Sequence, residues 1–337
     1  MRLLVIGGTR FVGRHIVAAA LAAGHEVTLF HRGAAGEPFP AADHRHGDRD
    51  ADLSALADGT WDATVDVCAY VPRQVRALGD TLGLATGRGG RYVLVSSISA
   101  YADVDRPGIT EDAPLAVLDD EDAEEVTAAT YGGLKALCEF AAVEVFGTQT
   151  LVVRPTYVVG PHDPTGRWTS WVRRFARGGE VLAAGPRDQP VQVVDARDLA
   201  GFVVRLVESG ASGAVHVAGP RPPWSLEDLL DQTRAAVAPA GTTITWVDPG
   251  FAVDEGVTPS DLPLWHGGEV DWVGAVDPSA ALARGLVHRP LAESAHDVLA
   301  AADVTPLVAG VGLTAEREAG LLARWHGRGG SGPGRKA

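Results

Sequence analysis

Arg2-Leu3-Leu4-Val5-Ile6-Gly7-Gly8-Thr9-Arg10-Phe11-Val12-Gly13 is the stretch that decides the fold. Its apolar opening predicts a buried strand over Arg2–Ile6, and a helical pattern follows over Phe11–Ala23. A tight turn between strand and helix aims the helix's free N–H groups at the space beyond the strand end, a favourable seat for an anion. Gly7 makes the turn, and Gly13 permits close packing of helix on strand. In this context the glycine pattern predicts a dinucleotide pyrophosphate seat. Its candidate residues are Gly7, Thr9, Arg10, Phe11, Val12 and Gly13, with Arg10 standing where a middle glycine is usual.

Working outward, Glu26–Phe30, Asp62–Val67, Arg91–Ser96 and Thr150–Arg154 predict further strands. Each is nearly continuous in apolar residues, as expected of strands covered on both faces. Arg73–Leu84 and Tyr131–Phe146 predict helices between them, and Val191–Val194 with the helix Arg197–Glu208 predicts a return to the same sheet. The expected architecture is α/β, a doubly wound parallel-sheet Rossmann fold with a smaller, discontinuous substrate-binding lobe. The expected boundaries are 1–155 plus about 188–210 for the dinucleotide domain, and about 156–187 plus 211–326 for the Trp- and Pro-rich lobe. A Gly-rich tail over 327–337 is expected to be disordered.

Composition narrows the function classes. The formal net charge of −14 over 337 residues repels phosphate backbones and anionic lipid, so neither nucleic acid nor membrane is expected as a partner. The only cysteines, Cys68 and Cys138, lie far apart, which predicts neither a disulfide framework nor a zinc site. His15, His25, His31, His44 and His46 show no metal-binding spacing, so no metal is expected. No apolar stretch reaches the ~18 residues of a membrane span. The N-terminal apolar run is too short for a signal peptide and breaks into glycine, so the expected location is the cytoplasm. The expected partner is a small-molecule substrate; pairing into a homodimer stays open.

The end of the second strand bears on cofactor choice. A carboxylate there accepts hydrogen bonds from an adenosine ribose 2′-hydroxyl and favours NAD. This chain has Leu29-Phe30-His31-Arg32-Gly33 instead. A guanidinium favours a 2′-phosphate through charge-assisted bonds, so NADP(H) is expected to be preferred, with NAD(H) as the other choice. His31 and Arg32 join the candidate cofactor residues, and Arg10 is placed to reach the same phosphate. Asp48, in Gly47-Asp48-Arg49, is expected to meet the adenine amino group or to form a turn.

Tyr131 and Lys135 stand four apart on a predicted helix and so share a face. An ammonium near a phenol favours phenolate and lowers a pKa that starts at about 10. That makes Tyr131 a usable proton donor and acceptor near neutral pH.

Together these motifs resemble the extended or atypical short-chain dehydrogenase/reductases, often labelled NAD-dependent epimerase/dehydratase. The resemblance rests on the glycine turn, on Tyr131-Gly132-Gly133-Leu134-Lys135, and on Ser96-Ser97-Ile98-Ser99-Ala100-Tyr101 after a strand. Arg154-Pro155-Thr156-Tyr157-Val158-Val159-Gly160-Pro161 and Val194-Asp195-Ala196-Arg197-Asp198-Leu199-Ala200 complete it. It is specific over residues 1 to about 220 and looser to about 325. It implies that Lys135 also holds the nicotinamide ribose hydroxyls. It implies too that Ser97, four residues before Tyr101, hydrogen-bonds the substrate oxygen, with Ser99 as the alternative. Ser99, Tyr157 and His162 are the candidate substrate contacts.

Departures from the family pattern narrow the chemistry. Ile98-Ser99 follow Ser97 where sugar-nucleotide dehydratases carry an acidic pair. Tyr157 replaces a frequent Asn, and Val191-Gln192 stand where sugar-nucleotide enzymes tend to carry arginine. These argue against a nucleotide-sugar substrate. The first reading is an NADP(H)-dependent oxidoreductase that reduces a small carbonyl or oxidises the alcohol. The alternatives are an NAD-dependent epimerase of a sugar-type substrate and a non-catalytic nucleotide- or RNA-binding protein of the same fold.

Overall fold

The computed structural model describes residues 1–34, 36–83, 88–120, 122–269, 272–301 and 308–328. In chain order the first half runs β1 (Arg2–Ile6), α1 (Phe11–Ala22), β2 (Glu26–His31), β3 (Asp43–His46), β4 (Ala63–Asp66), α2 (Pro72–Leu82), β5 (Arg91–Val95), α3 (Tyr131–Phe146) and β6 (Leu151–Pro155). There follow β7 (Tyr157–Val159), α4 (Arg167–Ala176), β8 (Glu180–Ala184), β9 (Pro190–Val191), β10 (Val193–Asp195), α5 (Ala196–Glu208) and β11 (Gly213–Val217). The remainder is β12 (Trp224–Ser225), α6 (Leu226–Val237), β13 (Thr243–Val247), α7 (Pro249–Asp254), α8 (Ser279–Ala283), α9 (Leu291–Ala300) and α10 (Ala315–Arg328).

Two compact units divide the chain. The first gathers Met1–Val158, Gln192–Pro222 and Trp272–His288. Its seven-stranded sheet has the order β11-β6-β5-β4-β1-β2-β3, with every neighbouring pair parallel. Strand side chains alternate between faces, and the sequence supplies apolar residues to both. Leu3 and Val5 pack with Ile16, Val17, Phe202 and Val203 of α1 and α5. Leu4 and Ile6 pack with Val75, Leu78, Cys138 and Ala142 of α2 and α3. The chain leaves β1 toward β2 and β3, then returns to β4 on the other side. The ends of β1 and β4 therefore flank the switch point at which doubly wound sheets bind ligands.

Two expectations about the sheet are corrected. The sequence pattern places the segment from 211 in the lobe, but Gly213–Val217 pairs with Leu151–Pro155 as the sheet's edge strand. Its signal is weak because the buried His216 interrupts a short apolar run. The predicted strand Val191–Val194 splits into β9 and β10, which lie in separate two-stranded sheets. The break is at Gln192, a fully buried amide that exchanges two hydrogen bonds with the backbone of Val276 (2.9 and 3.0 Å). Of the predicted tail, Gly327 and Arg328 close α10, and 329–337 lie outside the described residues.

The second unit is built from Val159–Val191, Pro223–Asp271 and the chain from Arg289 onward. In it β8 and β13 pair in parallel, and β9 and β12 antiparallel. Three of its tryptophans are buried core whose indole N–H groups find acceptors: Trp168 on Thr233 (3.0 Å), Trp171 on Pro263 (2.6 Å) and Trp265 on Gly185 (2.7 Å). Among the described residues no helix is long and apolar enough to cross a membrane.

Candidate active site

The turn after β1 has the features that its sequence demands. Gly7 adopts φ +89°, and a Cβ there would stand 2.6 Å from Cys68 Sγ. A Cβ on Gly13 would stand 2.8 Å from the Gly7 carbonyl oxygen and 3.0 Å from Gly8 Cα, so only glycine lets α1 sit this close to the turn. Phe11 opens α1 at φ +31°, a conformation that L side chains rarely adopt. Arg10 is the N-cap residue but gives no side-chain cap, and the first turn of α1 holds no acidic residue. The N–H groups of that turn are thus left to an anion, which fits a pyrophosphate at this helix end. Thr9 lies in the turn, its N–H donating to the Gly7 carbonyl at 3.0 Å. Val12 packs at the margin of the core.

The end of β2 differs from expectation at His31. Its ring is turned inward, 6% exposed, and both nitrogens are engaged. Gly33 N–H donates to Nδ1 at 3.0 Å, and Nε2 meets His44 Nδ1 at 2.8 Å. Nδ1 is therefore the acceptor and Nε2–H the donor, and His44 passes its own Nε2–H to the Phe39 carbonyl at 2.9 Å. Burial first, then the neighbouring His44 and His46, hold His31 below the usual histidine range. His31 thus props the loop that follows β2. Arg32 is exposed beside it, and among the described residues neither Arg32 nor Arg10 has a side-chain hydrogen bond or ion pair. Asp48 serves as a turn former: its Oδ1 accepts the Asp50 N–H at 3.0 Å, and its backbone bridges to Asp52.

Tyr131 is the first residue of α3 and so stands at its N-terminal end. Lys135, one turn on, is 3% exposed. Its ammonium donates to the carbonyls of Ala69 (2.9 Å) and Val95 (2.8 Å), which follow β4 and end β5. Two of its three N–H bonds are so committed, leaving one for a ligand. Burial pushes this ammonium below the usual lysine range, against the opposing pull of Cys138, Asp66 and Glu139. Ser97 caps the short 3-10 turn Ile98–Ala100. Its hydroxyl accepts the Ser99 N–H and donates to the Ser99 hydroxyl, both at 3.1 Å. The two serines are thus linked in series, with Ser99 the exposed end. A Cβ on Gly132 would lie 2.2 Å from the Ser99 carbonyl oxygen, so the serine turn abuts the start of α3. The structure brings Tyr131, Lys135, Ser97 and Ser99 into one neighbourhood. Tyr157, half-buried, opens β7 in the first unit. His162 belongs to the second unit and carries a left-handed φ of +67°.

Two buried polar clusters behind this neighbourhood were not anticipated. Asp66, fully buried at the end of β4, takes both arms of Arg49 (2.7 and 2.9 Å), the Tyr92 hydroxyl (2.9 Å) and the Cys68 N–H (3.1 Å). Burial raises this carboxyl, but Arg49 outweighs it and holds Asp66 below the usual carboxylate range. The second cluster joins Glu139 to Arg154, and Arg154 to Tyr101, whose hydroxyl meets His216. Burial, the dominant effect, pushes the Tyr101 phenol up to about 12. A signal existed for this cluster: a lone arginine in the apolar run Leu151–Pro155 requires a buried carboxylate, and Glu139 lies one turn beyond Lys135.

A sequence profile of the NAD dependent epimerase/dehydratase family matches residues 3–77 and 57–219. The chain belongs to that family, a family of nicotinamide-dependent enzymes. A 3-diazoavenalumate denitrifying reductase from a Streptomyces species is 27% identical over 264 residues, spanning 72% of this chain and 84% of that protein. The Bordetella bronchiseptica enzyme WbmH, solved with NAD+, is similar with a TM-score of 0.64 at 19% identity, covering 89% of this chain and 97% of the other. Human epimerase family protein SDR39U1, solved with NADPH, gives a TM-score of 0.60 at 22% identity, covering 88% and 100%. At these identities the solved structures speak to the fold, which they share with this chain.

Proposed function

We propose that the protein is an NADP(H)-dependent oxidoreductase that reduces a small carbonyl compound or oxidises the corresponding alcohol. The observation that carries this reading is the Lys135 ammonium, seated on two carbonyls one helical turn from Tyr131. A nicotinamide held here would supply the hydride, or receive it in the reverse direction. Tyr131 gives its phenolic proton to the substrate oxygen during reduction and takes it back during oxidation. Lys135 offers its remaining N–H to a ribose hydroxyl, and its charge favours the phenolate left on Tyr131. The Ser97–Ser99 pair holds the substrate oxygen while charge develops there. Arg10 and Arg32 are the residues to meet a 2′-phosphate, and the relative of human origin solved with NADPH supports such a cofactor in this fold.

The epimerase name of the family and the NAD+ of WbmH favour a second reading, an epimerase that regenerates its cofactor within each turnover. The test is incubation with NADPH and a panel of ketones, aldehydes and imines. Stoichiometric loss of NADPH supports the reductase. Isomerised product without net cofactor consumption moves the assignment to the epimerase. The net charge of −14 supports a small-molecule partner over nucleic acid, and a gel-shift assay checks it.

A further inference from the structure

We infer that Tyr70 is a specificity residue, an aromatic face beside Lys135 that selects flat, conjugated carbonyl substrates over saturated ones. The inference rests on the reductase reading of this site. Tyr70 follows β4 directly after Ala69, whose carbonyl holds the Lys135 ammonium. Lys135 Nζ also lies over the Tyr70 ring, 5.7 Å from its centre. The backbone here is pinned: the N–H groups of Tyr70 and Val71 both donate to Gln74 Oε1 (2.9 and 3.4 Å). Gln74 is itself buried and tied to Asp50 at 2.8 Å. On this pinned backbone Tyr70 is nonetheless 43% exposed. A large apolar surface kept rigid and open beside a reacting pair is the arrangement of a preorganised ligand face.

Partial burial and then Tyr131 push the Tyr70 phenol above the usual tyrosine range, which makes it a poorer acid than a free tyrosine. What remains to Tyr70 is recognition through its ring. Closeness to Lys135, one helical turn from Tyr131, assigns that ring to the reacting end of the site and not to the adenosine end of the cofactor.

The experiment is calorimetric titration of NADP+-loaded protein with benzylideneacetone and with its fully saturated cyclohexyl analogue. Aromatic contact predicts about three- to tenfold tighter binding of the conjugated ketone. Tyr70→Phe keeps that preference and Tyr70→Leu loses it, with NADP+ affinity unchanged in both. Equal affinities, failure of both ketones to bind, or a loss in Tyr70→Leu that falls on NADP+ instead would overturn the inference. A retained preference in a protein that never consumes NADPH sinks the reductase reading and leaves the ring site standing.

Discussion

Arg154 and Glu139 form a buried two-pronged ion pair one helical turn behind Lys135, with contacts of 2.6 and 3.0 Å and side chains only 6% and 4% exposed. Glu139 also accepts the Ser96 hydroxyl at 2.5 Å, so the pair fastens α3 to the end of β5 just before Ser97. Removing one charge strands the other in the core. Glu139→Leu is expected to cost about 3–5 kcal/mol of stability. The double variant Glu139→Leu/Arg154→Met should recover much of that loss. Urea unfolding of the three proteins measures both, and an additive double variant would contradict the pairing.

Tyr131→Phe should abolish turnover and leave cofactor affinity within a few-fold, because the hydroxyl acts in the transition state and contributes little to ground-state binding. Lys135→Ala should weaken both cofactor binding and catalysis. Steady-state kinetics beside cofactor titration separates the two roles. Substantial activity in Tyr131→Phe removes that residue from the mechanism.

Arg10 and Arg32 are both exposed, and among the described residues neither has a side-chain partner. One charge-assisted bond of ~1.5–3 kcal/mol to a 2′-phosphate amounts to roughly tenfold or more in affinity. NADP(H) should therefore bind at least about tenfold more tightly than NAD(H). Arg32→Ala should erase most of the difference and spare NAD(H) binding. Calorimetry with both cofactors decides, and tighter NAD(H) binding would reverse the assignment.

Asp66 gives a pH signature. Its folded pKa lies below the ordinary carboxylate value, the Arg49 guanidinium outweighing the effect of burial. Its stabilisation is thus full above the unfolded value of about 4 and is lost as pH falls through the lower folded value. Asp66→Asn should be much less stable than the parent at neutral pH, and the gap should narrow below about pH 4. Unfolding midpoints across pH 2–7 would show it. A gap that does not change with pH would mean that the Asp66 charge contributes nothing.

The order of elements was legible because local pattern dictates it. Tyr131–Phe146 was predicted with the bounds that α3 has, and β1 likewise, since apolar runs and helical spacing are properties of neighbouring residues. The glycine turn was legible for the same reason: Gly7 and Gly13 answer to backbone geometry within a dozen residues. His31 was not. Its inward turn depends on His44, thirteen residues on and in the adjacent strand, and nothing in Phe30-His31-Arg32 announces that partner. Arg154 and Glu139, Asp66 and Arg49, and Tyr70 beside Lys135 are likewise meetings between separate elements. The sequence by itself determined the sheet's winding, the phosphate-facing turn and the Tyr131–Lys135 spacing, because each is set by short-range backbone periodicity. Only the tertiary structure decided which buried charge is paired and which aromatic is left open, because those depend on distances that close when strands far apart in the chain come into register.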